Sequence, residues 1–186
     1  MKTVQLFSLE NTLAAELLEK YEYPWLALGE IKNFILELGP ALDKNVYEQI
    51  DENVWAAKSA KIFASAFVGG PCIIGENTEV RHCAFIRSSA LIGNNCVVGN
   101  STEIKNSILF NNVQVPHYNY VGDSILGYKS HLGAGAITSN VKSDKTPVAV
   151  VTGGGRIETG LKKFGAMVGD CTEVGCNSVL CPGTVL

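Results

Sequence analysis

A six-residue repeat constrains the fold of this chain more than any other feature of its sequence. Ten consecutive blocks of six residues begin with an aliphatic residue: Ile50, Ala56, Ile62, Val68, Ile74, Val80, Ile86, Ile92, Val98 and Ile104. The fifth place of most blocks is small, as at Ala66, Cys72 and Ala84. An amphipathic helix needs apolar spacings of three and four, and a half-buried strand needs strict alternation. The repeat instead predicts a coil with three flat faces, in which each short strand points one aliphatic and one small side chain inward.

The repeat changes phase twice and is then interrupted. Five-residue steps lead to Leu109 and to Leu126, and the pattern returns at Val168 after a polar, glycine-rich stretch. The predicted fold class is therefore all-β, with a parallel β-helix over residues 49–186 and a long loop at about 138–163. Loops of this length inside a regular solenoid are usually functional or disordered.

Residues 1–48 follow a helical pattern instead. Ser8 can cap a first helix, and Pro24 suits the start of a second helix that ends at a capping Gly39. Because the terminal coils of a solenoid need a cap, we expect these helices to cover the open end of the β-helix. Docking to a partner is the alternative role. The other end stops on an inward place at Leu186, as expected of a β-helix that continues in the natural protein.

Composition excludes several classes of function. The net charge of −3 offers no basic surface for nucleic acid. No apolar run reaches the roughly 18 residues of a membrane span, and the first residues lack the pattern of a signal peptide, so we expect a cytoplasmic protein. Cys171, Cys176 and Cys181 are spaced by five, unlike a zinc knuckle, and Cys72 occupies an inward place. We therefore predict no bound metal.

Arg87 and Lys105 are the first candidate binding residues. Each follows a block-starting isoleucine and points outward, and 18 residues, one full coil, separate them. They should stack on one face at about 4.8 Å, the spacing of neighbouring strands. Two adjacent cations repel unless an anion lies between them, so the pair suits a phosphate. Two solvated surface cations are the alternative interpretation.

Two further motifs follow along the chain. His117 lies outside the inward places and close to the face of the two cations, which makes it a candidate general base. A lone histidine is more often structural, and that interpretation stays open. Gly133, Ala134 and Gly135 keep the surface shallow and leave backbone amides within reach of a ligand, although packing at a corner would explain the same residues.

Together these motifs resemble the acetyltransferase domain of the bifunctional enzyme that makes UDP-N-acetylglucosamine. The family pattern H-x-x-Y-x-G-D is present as His117, Tyr120, Gly122 and Asp123. The family pattern G-A-G…T-x-N is present as Gly133, Ala134, Gly135, Thr138 and Asn140. Arg87 and Lys105 lie at the spacings of the family's sugar-phosphate-binding arginine and lysine. The match covers about residues 68–140, and the later segment resembles the C-terminal β-helix of sugar-phosphate nucleotidyltransferases.

The resemblance implies a left-handed β-helix and an acetyl-CoA-dependent N-acetyltransferase that acts on an amino-sugar phosphate similar to glucosamine-1-phosphate. It also implies a homotrimer with sites between subunits. His117 would deprotonate the amino group. The substrate-binding residues would be Arg87, Lys105, Tyr120, His131, Asn140 and Lys145. The residues in contact with acetyl-CoA would be Ala134, Gly135, Gly165 and Ala166.

The chain departs from the family pattern at two binding positions. His131 stands where the family has asparagine, and Lys145 is one place out of register with the family's loop lysine. No glycine-rich G-x-G-T-R loop opens the chain, so we expect no uridylyltransferase domain within it. Two alternative functions remain: a non-catalytic subunit that binds a sugar phosphate or nucleotide sugar, and an O-acyltransferase in which His117 activates a hydroxyl.

Overall fold

A computed structural model describes residues 1–186 and confirms the predicted fold class, a left-handed parallel β-helix preceded by short helices. The helices are α1 Thr3–Leu6, α2 Ala15–Leu18 and α3 Ile31–Leu38, with 3₁₀ turns at Leu9–Asn11, Pro24–Gly29 and Gly39–Ala41. The strands are β1 Tyr47–Asp51, β2 Val54–Ala57, β3 Lys61–Ile62, β4 Phe67–Val68, β5 Cys72–Ile74, β6 Glu79–Val80, β7 Phe85–Ile92, β8 Val97–Asn100, β9 Glu103–Leu109, β10 Gln114–His117, β11 Tyr120–Leu126, β12 His131–Leu132, β13 Ile137–Thr138, β14 Ala149–Thr152, β15 Gly155–Glu158, β16 Ala166–Val168, β17 Glu173–Val174, β18 Val179–Leu180 and β19 Thr184–Val185.

Parallel pairing between coils produces three faces. The covered face consists of β2, β5, β16 and β19 with the C-terminal halves of β7, β9 and β11. The polar face consists of β3, β6, β8, β10, β12 and β17. The site face consists of β4, β13 and β18 with the N-terminal halves of β7, β9 and β11. The three longest of these parallel strands therefore bend around the corner between the covered face and the site face.

The predicted inward positions stack on one another from coil to coil. Ala56 lies opposite Ile74, and Ile74 lies opposite Ile92. The aliphatic side chains of the middle coils have no exposed surface, which places them in one continuous core. The prediction was wrong for Ile50, which is 45% exposed. Ile50 belongs to β1, which pairs antiparallel with β2 and lies outside the parallel coils.

The helical segment, residues 1–46, lies along the covered face instead of over the open end. Leu6 and Ser8 hydrogen-bond Asp170 near the last coils, whereas Gly39 packs against Trp55 in the first coil. Between these ends α3 packs on β7 and β9, and the 3₁₀ turn at 24–29 packs on β11. The outward residues of the covered face are apolar and buried: Trp55, Ile73, Leu91, Ile108, Ile125 and Met167. The segment covers this side because those side chains supply an apolar surface along the whole β-helix.

Two details of the helical prediction were also wrong. Ser8 precedes only a short 3₁₀ turn, and its side chain makes no capping hydrogen bond. Gly39 ends α3 in a right-handed conformation, with φ of −53°, so the left-handed freedom of glycine is not used. Glycine is required there because any side chain would overlap the indole ring of Trp55. No helix of the structure has the length and apolar character that crossing a membrane requires.

The long insertion leaves the β-helix after β13 and returns at β16. It contains a hairpin in which β14 pairs antiparallel with β15. Val148, just before the hairpin, and Phe164, near the return to β16, are fully buried, and the Phe164 ring stacks on Trp25 of the helical segment. The insertion is therefore anchored to the covered side of the molecule at its base.

Candidate active site

A buried carboxylate organises the site face where β9 and β11 turn the corner. Asp123 is 4% exposed. Its Oδ2 accepts hydrogen bonds from Lys105 Nζ at 3.3 Å and from Asn140 Nδ2 at 2.5 Å, and its Oδ1 accepts one from Asn106 Nδ2 at 2.8 Å. The backbone of Asp123 is left-handed, with φ of 49°, which aspartate tolerates better than most residues. Two of the predicted substrate-binding side chains, Lys105 and Asn140, therefore meet at the Asp123 carboxylate.

Tyr120 belongs to the same cluster. Its hydroxyl oxygen accepts a hydrogen bond of 3.2 Å from Asn140 Nδ2. The ring lies across Gly122, where a Cβ atom would overlap the phenolic oxygen, so the glycine of the Y-x-G motif makes room for the tyrosine. Burial, followed by the negative charges of Asp123 and Glu103, raises the pKa of Tyr120 above its ordinary value. The phenol therefore stays neutral at physiological pH, and its O–H can donate a hydrogen bond to a ligand.

Arg87 does not stack directly on Lys105 as its spacing predicted. The pairing of β7 with β9 shifts register between Ile86 and Ser88, so Ser88 lies opposite Lys105. This local irregularity displaces Arg87, because one extra residue on β7 faces the neighbouring strand. Arg87 instead forms an ion pair of 3.0 Å with Glu103, on the exposed part of the same face. The two cations thus share a face, and each already has its own carboxylate partner.

His117 ends β10 at the corner that leads to the site face. A Cβ atom on Gly99 would overlap the carbonyl of Pro116, so glycine in β8 allows β10 to approach and places His117 beside Asn100. The His117 amide donates to Asn119 Oδ1 at 3.1 Å. The imidazole is exposed and makes no hydrogen bond within the chain. It is therefore free to meet a substrate, but no side chain of this subunit orients it.

The Gly133–Gly135 segment lies directly against His117 in the next coil. Gly135 N–H donates to the His117 carbonyl at 3.0 Å. The buried Asn119 side chain donates to the carbonyls of Gly133 and Ala136, at 2.8 and 3.1 Å. Asn119, which no sequence motif marked, therefore fixes the histidine and the glycine-rich segment to each other.

Hydrogen bonds occupy the amides of three of the four residues predicted to contact acetyl-CoA. Gly135 N–H bonds His117, as above, and Gly165 N–H donates to the Asp123 carbonyl at 2.8 Å. Ala166 N–H donates to Ser124 Oγ at 3.0 Å, and both Gly165 and Ala166 are buried. Ala134 is partly exposed, and its carbonyl accepts from Asn177 N–H at 2.8 Å. Of these four residues, Ala134 is the one whose amide N–H makes no hydrogen bond within the chain.

The structure does not bring the remaining two predicted binding residues into contact with the Asp123 cluster. His131 lies in β12 on the polar face, where its Nδ1 is 2.7 Å from Glu173 Oε2. Lys145 lies in the long insertion, and its side chain is exposed and without an ion pair. Three other residues that make these contacts were not assigned a role from the sequence: Glu103, Asn106 and Asp123. The sequence marks Asp123, because it is the last residue of the H-x-x-Y-x-G-D pattern, but no motif marks Asn106.

Comparison with known proteins assigns this β-helix to a family. Residues 68–186 match the family model described as the GMPPB C-terminal domain. The chain belongs to this family. The match begins at the first coil of the site face and extends through the Asp123 cluster to the last residue. It does not include the helical segment.

Curated relatives are similar to parts of the chain. The bifunctional protein GlmU of Methanococcus maripaludis is 40% identical over 77 residues, which are 41% of this chain and 18% of that protein. GlmU of Picosynechococcus is 35% identical over 152 residues, 81% of this chain and 25% of that protein. The chain thus spans a quarter or less of these relatives. The acetyltransferase domain of PglB from Neisseria gonorrhoeae, a solved structure, is 17% identical with a TM-score of 0.42, covering 84% of this chain and 62% of that one.

Proposed function

We propose that this chain is an acetyl-CoA-dependent N-acetyltransferase that acts on an amino-sugar phosphate. The observation that carries the proposal is the convergence of Lys105 and Asn140 on Asp123, on the face that adjoins His117. Tyr120 belongs to the same cluster through its hydrogen bond with Asn140. Lys105 and the nearby Arg87 would bind the phosphate, and Tyr120 and Asn140 would bind sugar hydroxyls. A further curated relative, the bifunctional sugar-1-phosphate nucleotidylyltransferase/acetyltransferase of Sulfurisphaera tokodaii, is 35% identical over 77 residues and supports a sugar-linked acetyltransferase.

The proposed reaction needs one base and no covalent enzyme intermediate. The amino nitrogen attacks the thioester carbonyl carbon, a C–N bond forms, and the C–S bond then breaks. His117 accepts the proton released by the nitrogen and returns it to the departing thiolate, so the imidazole ends neutral. Substrate or a neighbouring subunit must orient the imidazole, because no group within the chain hydrogen-bonds it.

Thiol release from acetyl-CoA tests this function. The acceptors should be glucosamine-1-phosphate, galactosamine-1-phosphate and unphosphorylated glucosamine, each with the natural chain and with His117→Ala. We expect phosphate-dependent release that falls by about 10²–10⁴-fold in the variant, the usual contribution of a general base. His82→Ala is the matched control, since His82 is exposed on the polar side and packs on Phe63. Equal rates in the two variants would reject His117 as the base.

A homotrimer is part of this proposal. Phe67 and Phe85 form an edge-to-face pair on the site face and are 59% and 42% exposed. Val179, at the other end of the same face, is 58% exposed. An apolar edge beside the site supports contact with a second copy there. Light scattering should give three times the mass of one chain, and Phe67→Lys with Phe85→Glu should give the mass of one.

A second candidate function is a non-catalytic subunit that binds a sugar phosphate. The occupied amides of Gly135, Gly165 and Ala166 favour it, because they leave few donors for the thioester. Calorimetry distinguishes the two functions. Binding of glucosamine-1-phosphate without binding of acetyl-CoA would support the second candidate and reject the transferase.

A further inference from the structure

We propose that Asp123 is the positioning residue of the sugar-phosphate site, holding Lys105 and fixing the orientation of the Asn140 amide. The proposal rests on the function proposed above and deepens it. It follows from one carboxylate that makes three side-chain hydrogen bonds while only 4% of its residue surface is exposed.

Asp123 joins residues from three successive passes of the chain. Lys105 comes from the coil before it, and Asn140 comes from the start of the long insertion after it. A buried carboxylate without partners would be strongly destabilising, whereas the Lys105 ammonium and two amides satisfy this one. In return, the carboxylate limits the positions of Lys105, whose flexible side chain would otherwise sample many rotamers in solvent.

Asn140 shows why the negative charge matters. Its Nδ2 donates both to Asp123 Oδ2 and to the Tyr120 hydroxyl oxygen. An ionised carboxylate can only accept hydrogen bonds, so it dictates that the nitrogen of the amide, and not the oxygen, faces inward. Asn140 Oδ1 then points away from Asp123 and accepts no hydrogen bond within the chain, which leaves it available to a substrate hydroxyl or amine.

Asparagine at position 123 would keep the shape and remove this constraint. Its amide can donate as well as accept, so the Asn140 amide could turn over and Lys105 would lose its ionic partner. A merely structural carboxylate would instead affect stability and leave ligand affinity unchanged in the folded fraction. The two cases therefore differ in a measurable way.

The test is titration of the full chain with glucosamine-1-phosphate alone, followed by steady-state kinetics. The variants are Asp123→Asn, Lys105→Met and the double variant. Asp170→Asn is the matched control, because Asp170 also holds a corner and the helical segment, accepting from Tyr128 N–H and Ser8 N–H. We expect Asp123→Asn to raise the Kd by about 10- to 100-fold, as for loss of charged hydrogen bonds. The KM for acetyl-CoA and the affinity of Asp170→Asn should stay near the values of the natural chain.

The double variant separates positioning from fold damage. If Asp123 acts through Lys105 and Asn140, the double variant should lose less affinity than the sum of the two single losses, because coupled residues are not additive. Additive losses, an unchanged Kd in Asp123→Asn, or no binding by the natural chain would each overturn the proposal. Asp123-dependent binding without thiol release would reject only the transferase. Thiol release with an unchanged KM in Asp123→Asn would reject only the positioning role.

Discussion

The covered face and the site face share the strands β7, β9 and β11, yet only the covered face is shielded from solvent. Leu91, in the C-terminal half of β7, is fully buried beneath the helical segment. Phe85, in the N-terminal half of the same strand, is 42% exposed. Both are outward residues, so the strand backbone does not decide their burial. What lies against each half of the strand decides it.

The two faces differ in the chemistry of their outward residues. On the covered face these residues are aliphatic in every middle coil, and they provide a continuous surface for α3. On the site face they alternate between aromatic and charged residues, as at Phe85, Glu103 and Tyr120. A helix packed over Glu103 would bury its charge at a large cost, so the site face stays open to ligands. The comparison shows one repeat that supports packing on one side and binding on another.

Leu91→Glu should break the covered face and give the largest effect. The carboxylate would be buried beneath the helical segment without a partner, at a cost of about 4 kcal/mol or more. We expect circular dichroism to show no cooperative thermal transition. Phe85→Glu is the comparison in the same strand: it should disturb the proposed contact between copies, yet each chain should keep a cooperative transition. Equal destabilisation of both variants would contradict the distinction between the faces.

The interior could be predicted from the sequence because each inward residue meets the same position in the next coil. Ala56, Ile74 and Ile92 are such a stack, and their six-residue spacing is visible without a structure. The covered face left a weaker signal that we missed. Ile73 and Leu91 are apolar outward residues one full coil apart, where an uncovered face would carry polar side chains. That signal places the helical segment along the side of the β-helix.

The contacts within the site could be predicted only in part. Spacing placed Arg87 and Lys105 on one face, but a register shift decides their separation, and no residue type marks a bulge of this kind. Lys105 and Arg87 pair with different carboxylates, since the depth of each side chain selects its partner. Motif spacing therefore identified the residues, whereas the hydrogen bonds of Asp123 required the three-dimensional structure.

Gly99→Ala should damage the site side without touching the covered face. The new methyl group would overlap the backbone of Pro116, and β10 would have to move together with His117. Overpacking of this kind should lower the free energy of unfolding by about 3 kcal/mol. Urea unfolding measures this loss. Gly153→Ala is the control, because nothing lies within 4 Å of its Cβ position. A Gly99→Ala variant with unchanged stability and turnover would show that the close approach does not position His117.

A pH titration tests the burial of the core that lies behind both faces. Burial raises the pKa of the Cys72 and Cys96 thiols to about 12. Because the folded pKa is raised, the stabilisation is complete below the unfolded value of about 8.5 and is lost as pH rises toward 12. We expect the free energy of unfolding to fall by about 2 kcal/mol per thiol by about pH 10. Cys72→Ala should make the free energy of unfolding fall less steeply with pH. Cys83→Ser, at an exposed corner, should leave this pH dependence unchanged.

Asn106→Ala should have the smallest effect on stability. It is the most specific test of whether the helical segment on the covered face supports the site face. Asn106 Nδ2 donates both to the Leu28 carbonyl of the helical segment, at 3.2 Å, and to Asp123 at 2.8 Å. Loss of these bonds should cost about 1 kcal/mol and loosen Asp123, so the KM for the sugar phosphate should rise severalfold.

The control for Asn106→Ala is Asn112→Ala. Both asparagines have positive φ, 46° and 63°, so alanine introduces similar backbone strain at each corner. Asn112 has no side-chain link to Asp123, and its variant should lose stability while the KM stays constant. If both variants have the same KM, the helical segment covers the β-helix without supporting the site. If only Asn106→Ala binds the sugar phosphate more weakly, packing on the covered face contributes to binding on the site face.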